Sequence, residues 1–503
     1  MKYLIYSSSS LAYPHFGVQL EECEKLNAQG HSVTFAYCDG INNTCFKNIN
    51  SNPAICKACN LGYRFSINKL SKNIEIIPLN FTEDNLKHKF IFNSINDIKE
   101  IKYKKVSIGY AVLSTFISFS RNPEIKLDDS TRDYLNHIIS QTCILVDSVY
   151  NLIDKVNPDV ICVFNGRFFE TKPLFDIGIS KNIEVIINEV IGSGTENDPF
   201  KITKFINSMP HDIAYLGKKV LSTWDCSKLS YEEKIRIGES FYFNKKNGLN
   251  TGLVNFTSNQ EKGKLPSNWD NAKKNIVIFN SSEDEFAAIG KEFDSYAIFN
   301  SQIDGIKFML SNCKLNNIHF YLRIHPNLSN VTESFHTDLL ELDKLYTNIT
   351  IIKGDDKIST YALIDSSWKV IVFGSTVGIE SSFWGKPSIL LAGSMYHDLN
   401  ALYKPSSKSH LLQLIEQELT VLNTFPAIQF GFFVMNRDTG ANTSKYFDLS
   451  LKKYSLFGFE FNQPKYMAFL GSNILIKLIH LVYIKIFTRL LKDRFPFPKK
   501  INI

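Results

Sequence analysis

Five short apolar runs, separated by segments with helical periodicity, recur through the second half of the chain. They are NIVIFN (275–280), IHFYLRI (318–324), NITIIK (348–353), KVIVFG (369–374) and SILLAG (388–393). Runs of this length and apolarity are typical of parallel strands buried on both faces, with helices as the crossovers between them. The alternation predicts a doubly wound α/β domain, in which ligands bind outside the carboxyl ends of the strands.

A second alternation of strands and helices occupies the first half of the chain. Strands are expected at 2–6, 32–37, 159–164 and 183–188, and helices at 21–29, 131–156 and 168–180. The chain has 503 residues, more than the roughly 250 to 300 that one hydrophobic core supports. The expected division is an N-terminal domain at 1–249, a linker at 250–274 rich in Gly, Asn, Ser and Lys, a C-terminal domain at 275–445 and a helical tail at 446–503.

The composition is that of a folded globular protein, with 44% apolar and 21% charged residues. The 56 Lys and Arg residues exceed the 50 Asp and Glu residues by 6, an excess too thin to indicate a nucleic-acid-binding protein. A small excess of positive charge is compatible with binding anionic small molecules or lipid headgroups. The N-terminal run YLIY is too short for the apolar region of a signal peptide, so a cytoplasmic location is expected.

The nine cysteines, an odd number, favour reduced thiols over a disulfide framework. Cys38, Cys45, Cys56 and Cys59 lie close together and include one CxxC pair. They are expected to be free thiols in an irregular insertion, and the alternative is a structural zinc site.

The stretch FGSTVGIESSFWGKP (373–387) follows a predicted strand and begins a predicted helix. Gly374 lets a ligand approach the backbone, and Ser375 and Thr376 place hydroxyl groups at a helix N-terminus, where free N–H groups attract phosphate. Glu380 lies one turn further on the same face and can accept hydrogen bonds from ribose hydroxyls. The alternative is that Ser375 only caps the helix and Glu380 is solvated. The combination predicts a nucleotide-binding centre.

A histidine ends the predicted strand in RIHPN (323–327), where His325 stands directly before Pro326. An imidazole at this point can donate to a phosphate oxygen of a leaving nucleotide and offset the charge that develops there. The alternative is a structural histidine. Arg323 lies on the same face by strand alternation, either in the donor site or as a cation at a domain interface.

The polar segment NSSEDE (280–285) follows the first strand of the C-terminal domain. The spacing of Ser282 and Glu285 predicts a capping box. Ser281 or Ser282 can in addition contact the nucleotide or its phosphates, and the two roles are compatible.

Polar residues also follow two predicted strands of the N-terminal domain. Glu189 is a candidate general base for an acceptor hydroxyl, or a nucleophile if configuration is retained, and it could instead pair with Arg167. Asn165 and Arg167 are expected to line the acceptor site. His15 either joins them or caps the first helix.

Together, NGR (165–167), Glu189, NSSEDE, RIHPN and GDDKISTYALIDSSWKVIVFGSTVGIESSFWGKPSILL (354–391) resemble bacterial capsular polysaccharide synthesis proteins. The resemblance covers most of the chain and is strongest at 275–396. It implies a GT-B glycosyltransferase fold, with two Rossmann-like doubly wound domains facing a cleft and the donor nucleotide on the C-terminal one. Relatives include Kdo transferases and, more distantly, bacterial polysialyltransferases, both of which use CMP-activated acidic sugars.

The resemblance also assigns residues. His325 and Pro326 match the family's HP motif, which contacts the donor phosphate, and Ser375 and Thr376 match its serine motif. The catalytic carboxylates of these relatives lie in the N-terminal domain, where Glu189 is the first candidate and Asp39 the second.

An apolar helical run at 466–493 is expected to form an amphipathic C-terminal helix. Its cations fall on one face; they are Lys477, Lys485, Arg489 and Lys492. Such a helix can lie on anionic lipids at the cytoplasmic face of the inner membrane, or pack its apolar face on the protein. The lysines within the run disfavour a transmembrane span.

The favoured function is transfer of a sugar from a nucleotide donor to a glycan or lipid-linked glycan of a growing bacterial surface polysaccharide. A CMP-activated acidic sugar such as Kdo or a nonulosonic acid is the favoured donor. Neither a cofactor nor a metal is expected, because no DxD motif occupies a cleft position, and no nucleic-acid partner is expected. The alternatives are a sugar-nucleotide epimerase or polyol-phosphate transferase of the same fold, and a noncatalytic glycan- or nucleotide-binding subunit of a capsule assembly complex.

Overall fold

The computed structural model describes residues 1–12, 14–79, 89–191, 200–249, 251, 253, 255–329, 334–437, 439–440, 453–456 and 459–462. The chain divides into two compact units. The first comprises 1–119, 125–210 and 439–503, and the second comprises 120–124 and 211–438. Each unit is built around its own largely parallel sheet.

Strands and helices alternate along both units. The strands are β1 (Lys2–Ser7), β2 (Ser32–Cys38), β3 (Glu75–Leu79), β4 (Val160–Phe164), β5 (Glu184–Ile191), β6 (Lys201–Ile206), β7 (Lys274–Phe279), β8 (Ile318–Arg323), β9 (Ile349–Ile352), β10 (Lys369–Val372), β11 (Ser388–Leu390), β12 (Thr439–Gly440), β13 (Lys453–Leu456) and β14 (Phe459–Asn462). The helices of the first unit are α1 (His15–Ala28), α2 (Pro53–Ile67), α3 (Ile95–Lys99), α4 (Ile108–Ser120), α5 (Asp129–Val156) and α6 (Lys172–Ser180). Those of the second are α7 (Ile213–Asp225), α8 (Tyr231–Lys246), α9 (Glu283–Phe286), α10 (Lys291–Asp294), α11 (Gln302–Asn312), α12 (Ser334–Leu340), α13 (Leu342–Leu345), α14 (Thr360–Ser366), α15 (Val377–Phe383), α16 (Lys408–Glu416) and α17 (Phe425–Asn436).

The sheet of the first unit has the strand order β3-β2-β1-β4-β5-β6-β12. Strands β1 to β5 are parallel, β6 runs antiparallel to β5, and β12 runs antiparallel to β6. The direction of winding reverses between β1 and β4, which places the switch point beside the loops that follow these two strands.

The sheet of the second unit has the order β11-β10-β7-β8-β9, and all its strands are parallel. Every residue of β8, β10 and β11 is buried, because helices cover both faces of the sheet. Here the winding reverses between β7 and β10. The two sheets confirm the predicted α/β class with two Rossmann-like domains.

Local sequence signals fix the ends of the longest helix, α5. Asp128 accepts a hydrogen bond from the backbone N–H of Thr131 and so caps its N-terminus. Asn157 adopts a left-handed conformation at the other end, and Pro158 follows it. The predicted helix at 131–156 is therefore confirmed to within two residues.

The boundary between the units lies earlier than the sequence indicates. Helices α7 and α8, expected in the N-terminal domain, belong to the second unit and pack against α17. Residues of the expected linker also bond within that unit, since Gln260 accepts a hydrogen bond from Thr360 N and Glu261 N donates to Lys357 O. The predicted and observed boundaries differ because α7 and α8 pack against a helix far away in sequence, and hydrophobic periodicity cannot predict which helices pack together.

The cysteine-bearing segment is more regular than expected. Cys56 and Cys59 lie in α2, whose N-terminus is capped by the Asn52 side chain. The expectation of an irregular insertion is therefore wrong for these two residues. The Asn52 cap and Pro53 at the start of the helix are the local sequence signals for α2.

The expected C-terminal amphipathic helix at 466–493 lies outside the described residues. Within the described part of the chain, no helix combines the length and apolar character that crossing a membrane requires.

Glycines allow α8 and α17 to approach closely. A Cβ atom on Gly431 would lie 2.2 Å from the backbone oxygen of Gly238 and 3.0 Å from a ring atom of Tyr242. Because the nearest obstacle is backbone, Gly431→Ala should lower the free energy of unfolding by about 1–3 kcal/mol in chemical denaturation. Gly290→Ala is the matched control, since a Cβ there meets nothing within 4 Å. Equal stability of the two variants would contradict the packing described.

Candidate functional site

Three polar loops follow neighbouring strands of the second sheet. Strands β10, β7 and β8 are adjacent and parallel, so the loops after them emerge at the same edge. At the usual strand spacing the outer two loops lie about 10 Å apart. The sequence-predicted donor residues therefore converge on the carboxyl edge of one sheet.

The loop after β10 needs glycine at its second position. Gly374 has φ +85°, and a Cβ there would lie 2.7 Å from Gly393 O. Ser375 and Thr376 are half-buried. The Ser375 hydroxyl accepts a hydrogen bond from Val377 N at 3.3 Å, and the Thr376 hydroxyl lies 3.5 Å from Lys245 Nζ, which donates to it. Among the described residues, none accepts a hydrogen bond from the hydroxyl of Ser375 or Thr376, so both hydroxyl hydrogens can be donated to a ligand.

Glu380 is buried rather than solvated, with 2% of its surface exposed. Its Oε1 lies 3.0 Å from Lys245 Nζ, and its Oε2 accepts a hydrogen bond of 2.7 Å from the Tyr361 hydroxyl. Lys245, on α8, is a residue that sequence reasoning missed, because nothing in its local sequence indicates a partner 135 positions later. The carboxylate forms an ion pair inside the unit, and its contact with ribose stays a prediction.

His325 stands two residues after β8 and is half-buried. Its backbone N–H donates to Asn280 Oδ1 at 2.8 Å, which ties it to the loop after β7. Its ring packs edge-on against Phe256, with centroids 5.2 Å apart. Pro326 begins a short 3-10 helix, Pro326–Leu328, directly after it.

The protonation state of His325 follows from its surroundings. Burial, and then the charge of Arg121, lower its pKa to about 4, so the ring is neutral at physiological pH. Nδ1 accepts a hydrogen bond from Asn327 N at 3.2 Å, which requires the proton of the neutral ring to be on Nε2. Among the residues that the structure describes, none hydrogen-bonds to Nε2. His325 therefore presents a neutral N–H donor.

The serines after β7 are more buried than the sequence suggests. Ser281 is 4% exposed, and its hydroxyl accepts a hydrogen bond from Gln302 Nε2. Ser282 is 1% exposed, and its hydroxyl donates to Asp284 Oδ1 at 2.7 Å instead of capping α9. The predicted capping box is therefore wrong, because the Ser282 hydroxyl is hydrogen-bonded to the Asp284 carboxylate and α9 is a single turn.

Arg121 contacts this loop although it lies far away in sequence. Its Nε is 2.7 Å from Asp284 Oδ2, and its Nη2 donates to Ser282 Oγ and Asn327 O. Sequence reasoning missed Arg121, since it stands just past the end of α4 and outside every predicted motif. No local signal marks it.

Arg323 does not extend to the surface of this edge. It is 3% exposed, and its Nη2 donates to Asp356 O at 2.8 Å, after β9. The contact stabilises the β9 loop, and a role in donor binding stays a prediction.

In the first unit, Glu189 and Asn165 come together on adjacent strands. Asn165, directly after β4, has φ +63° and donates from Nδ2 to Glu189 Oε1 at 3.0 Å. Glu189 is half-buried, and burial of its carboxyl group raises the pKa to about 7, against opposing effects of Asn165 and Arg167. A carboxyl group with this pKa is suited to proton transfer near neutral pH.

Arg167 and His15 lie beside this pair. Arg167 is 8% exposed, donates from Nη2 to Ser118 Oγ and stacks over Phe168. His15 begins α1 and packs on the Phe164 ring at 3.7 Å, and burial lowers its pKa to about 3. The structure therefore gathers His15, Asn165, Arg167 and Glu189 around the end of β4.

Asp39 and four of the cysteines lie near the end of β2. Asp39 Oδ1 accepts a hydrogen bond from Asn60 Nδ2 at 3.2 Å. A cavity of about 20 Å³ is lined by four thiols; they are Cys38, Cys45, Cys56 and Cys59. Within the described ranges, no three His, Cys, Asp or Glu side chains are arranged to hold a metal ion.

No protein-family model and no curated protein matches the chain. Among solved structures, a KpsC beta Kdo 2,4 transferase from Thermosulfurimonas dismutans is similar to it at 10% identity and a TM-score of 0.37, over 62% of this chain and 87% of the other. A KpsC beta Kdo 2,7 transferase of the same organism is similar at 13% identity and a TM-score of 0.35, over 67% of this chain and 89% of the other. UDP-GlcNAc 2-epimerase from Neisseria meningitidis is similar at 9% identity and a TM-score of 0.26, over 86% of this chain and 98% of the other. Similarities this low carry no inference about activity, so function must be inferred from this chain's residues.

The tautomer of His325 can be measured directly. In nitrogen-15 spectra of the histidine-labelled protein, the His325 ring should keep the Nε2–H pattern from pH 8 down to about 5, because its pKa is about 4. The signal is assigned by its loss in His325→Ala. Acid should also favour unfolding through this group, since the unfolded chain binds the proton near pH 6.5 and the folded chain near 4. A titration midpoint near 6.5 in the folded protein would contradict the buried environment.

Proposed function

We propose that the protein is a glycosyltransferase that binds a nucleotide-sugar donor at the carboxyl edge of the second sheet. The observation that carries the proposal is that the N–H donor of His325 and the half-buried hydroxyl groups of Ser375 and Thr376 stand on loops at the same carboxyl edge of one doubly wound sheet. Nucleotide phosphates bind in such crevices because backbone and side-chain donors converge there.

The donor phosphate is held by neutral hydrogen-bond donors in this proposal. Ser375 and Thr376 contact it from the loop after β10, where Gly374 keeps the backbone free of a side chain. His325 donates from Nε2 to an oxygen of the leaving phosphate, where negative charge grows as the glycosidic bond to the sugar breaks. A neutral donor is already in the correct protonation state and needs no proton uptake before transfer.

Glu189 is the proposed general base for the acceptor hydroxyl. Its carboxyl group is fixed by Asn165, and a pKa of about 7 leaves a large fraction ionised at neutral pH. The ionised form accepts the hydroxyl proton as the acceptor oxygen attacks the sugar. His15, Asn165 and Arg167 line the proposed acceptor site around it.

The substrate class rests on the sequence resemblance. The HP motif at His325-Pro326 and the serine motif at Ser375-Thr376 resemble those of capsular polysaccharide synthesis proteins, whose relatives use CMP-activated acidic sugars. We therefore propose such a sugar, Kdo or a nonulosonic acid, as the donor and a growing surface polysaccharide as the acceptor.

Release of nucleotide from candidate donors tests the activity. The purified protein is incubated with CMP-, UDP- and GDP-sugars, with and without acceptor glycans, and the free nucleotide is quantified. We expect acceptor-dependent release of one nucleotide, and about a 100-fold lower rate for His325→Ala, the effect typical of losing a donor to developing charge. His410→Ala, on α16, is the matched control and should keep the rate. Sugar isomerisation without transfer would indicate an epimerase, and neither binding nor release of any nucleotide would refute the proposal.

The role of Glu189 has its own pH signature. Because the base acts in its ionised form, kcat/KM should rise with pH through about 7 and level off above it. Glu189→Gln should abolish most of the turnover and leave donor affinity unchanged, whereas Glu184→Gln, at an exposed position of the same strand, should alter neither. If Glu189→Gln keeps the wild-type rate, Glu189 is not the base.

A further inference from the structure

The segment 120–124 belongs to the second unit, although the residues before and after it belong to the first. Arg121 lies in this segment with φ +56°, a left-handed conformation that is unfavourable for a residue with a side chain. Contacts of the side chain must compensate for that cost. Arg121 is therefore held in place by the second unit.

The guanidinium is anchored along one edge. Nε lies 2.7 Å from Asp284 Oδ2, and Nη2 donates to Ser282 Oγ at 3.2 Å and to Asn327 O at 3.1 Å. Asp284 is 1% exposed, and a buried carboxylate of this kind requires a cation. These contacts fix the plane of the guanidinium and use Nε and Nη2.

The opposite edge of the Arg121 guanidinium, which carries Nη1, can bind a ligand. Its side chain is 38% exposed, and no described residue hydrogen-bonds to Nη1. Asn327 joins this edge to His325, because its backbone O accepts from Arg121 while its backbone N–H donates to His325 Nδ1. Arg121 and His325 thus both bond Asn327, and each keeps one donor, Nη1 and Nε2, without a partner among the described residues.

Exposure distinguishes Arg121 from two other cations near these strand ends. Lys245 is paired with Glu380 and its side chain is 7% exposed, and Arg323 is 3% exposed and bound to Asp356 O. The hydroxyl groups of the predicted motifs are neutral, and so is His325. A phosphate anion beside His325 therefore has Arg121 as its partly exposed positive partner.

We propose that Arg121 binds a phosphate oxygen of the donor nucleotide through Nη1, next to the oxygen held by His325. The assignment rests on the proposed function, since it specifies how the same site binds the charged part of its donor. Arginine suits the role because its planar fork can bond Asp284 on one side and phosphate on the other.

The test compares nucleotides with nucleosides on the full-length protein. Calorimetry measures the affinity for CMP, UDP and GDP and for cytidine, uridine and guanosine. Arg121→Gln should weaken binding of the preferred nucleotide at least about 10-fold, the size expected for a charged hydrogen bond, and change nucleoside affinity less than about twofold. Arg236→Gln, at an exposed position on α8, is the control and should alter neither affinity.

A second variant separates binding from folding. Arg121→Gln leaves the Asp284 carboxylate buried without its cation, so Arg121→Gln combined with Asp284→Asn removes both charges together. We expect this double variant to fold and to show the same selective loss of nucleotide affinity. Wild-type affinity in the double variant, or an equal loss for nucleotide and nucleoside, would overturn the assignment while the proposed function stands. A wild-type protein that binds none of the nucleotides would overturn both.

Discussion

Burial of parallel strands on both faces is the constraint on which the rest of the structure depends. The residues of strands β8 and β10 are all buried, so the groups that a ligand can reach lie in the loops where these strands end. Parallel direction then brings the ends of β10, β7 and β8 to one edge of the sheet. A set of hydroxyl, imidazole and guanidinium groups gathers there because the packing of the core leaves few other places for them.

Within that edge, buried carboxylates position the groups that remain exposed. Asp284 fixes both the Ser282 hydroxyl and the Arg121 guanidinium, and Glu380 fixes Lys245 beside Thr376. Each carboxylate is nearly inaccessible to solvent, so removal of its partner would leave an uncompensated charge in a medium of low polarity. These two carboxylates thus act inside the unit, while the Arg121 side chain stays partly exposed and His325 stays half-buried.

The sequence predicted the fold and the motif residues better than it predicted their partners. Strands such as β8 and β10 follow from apolar runs, and His325 and Ser375 follow from their position after those runs. The long-range partners do not, because Arg121 and Lys245 meet Asp284 and Glu380 only through tertiary packing. The same cause misplaced the domain boundary, since contact between α8 and α17 depends on two glycines nearly 200 residues apart. Periodicity reports which face of an element is buried, and it does not report what that face is buried against.

Desolvation acts in opposite directions on the two titratable groups proposed for the reaction. Burial lowers the pKa of His325, which keeps the imidazole neutral and fixes its proton as a donor. Burial raises the pKa of Glu189, which makes the carboxylate a stronger base than an exposed one. A charged imidazole would repel Arg121. A Glu189 carboxylate with the ordinary pKa of an exposed glutamate would be a weaker base for the hydroxyl proton. Burial therefore prepares the His325 imidazole to donate a hydrogen bond and the Glu189 carboxylate to accept a proton.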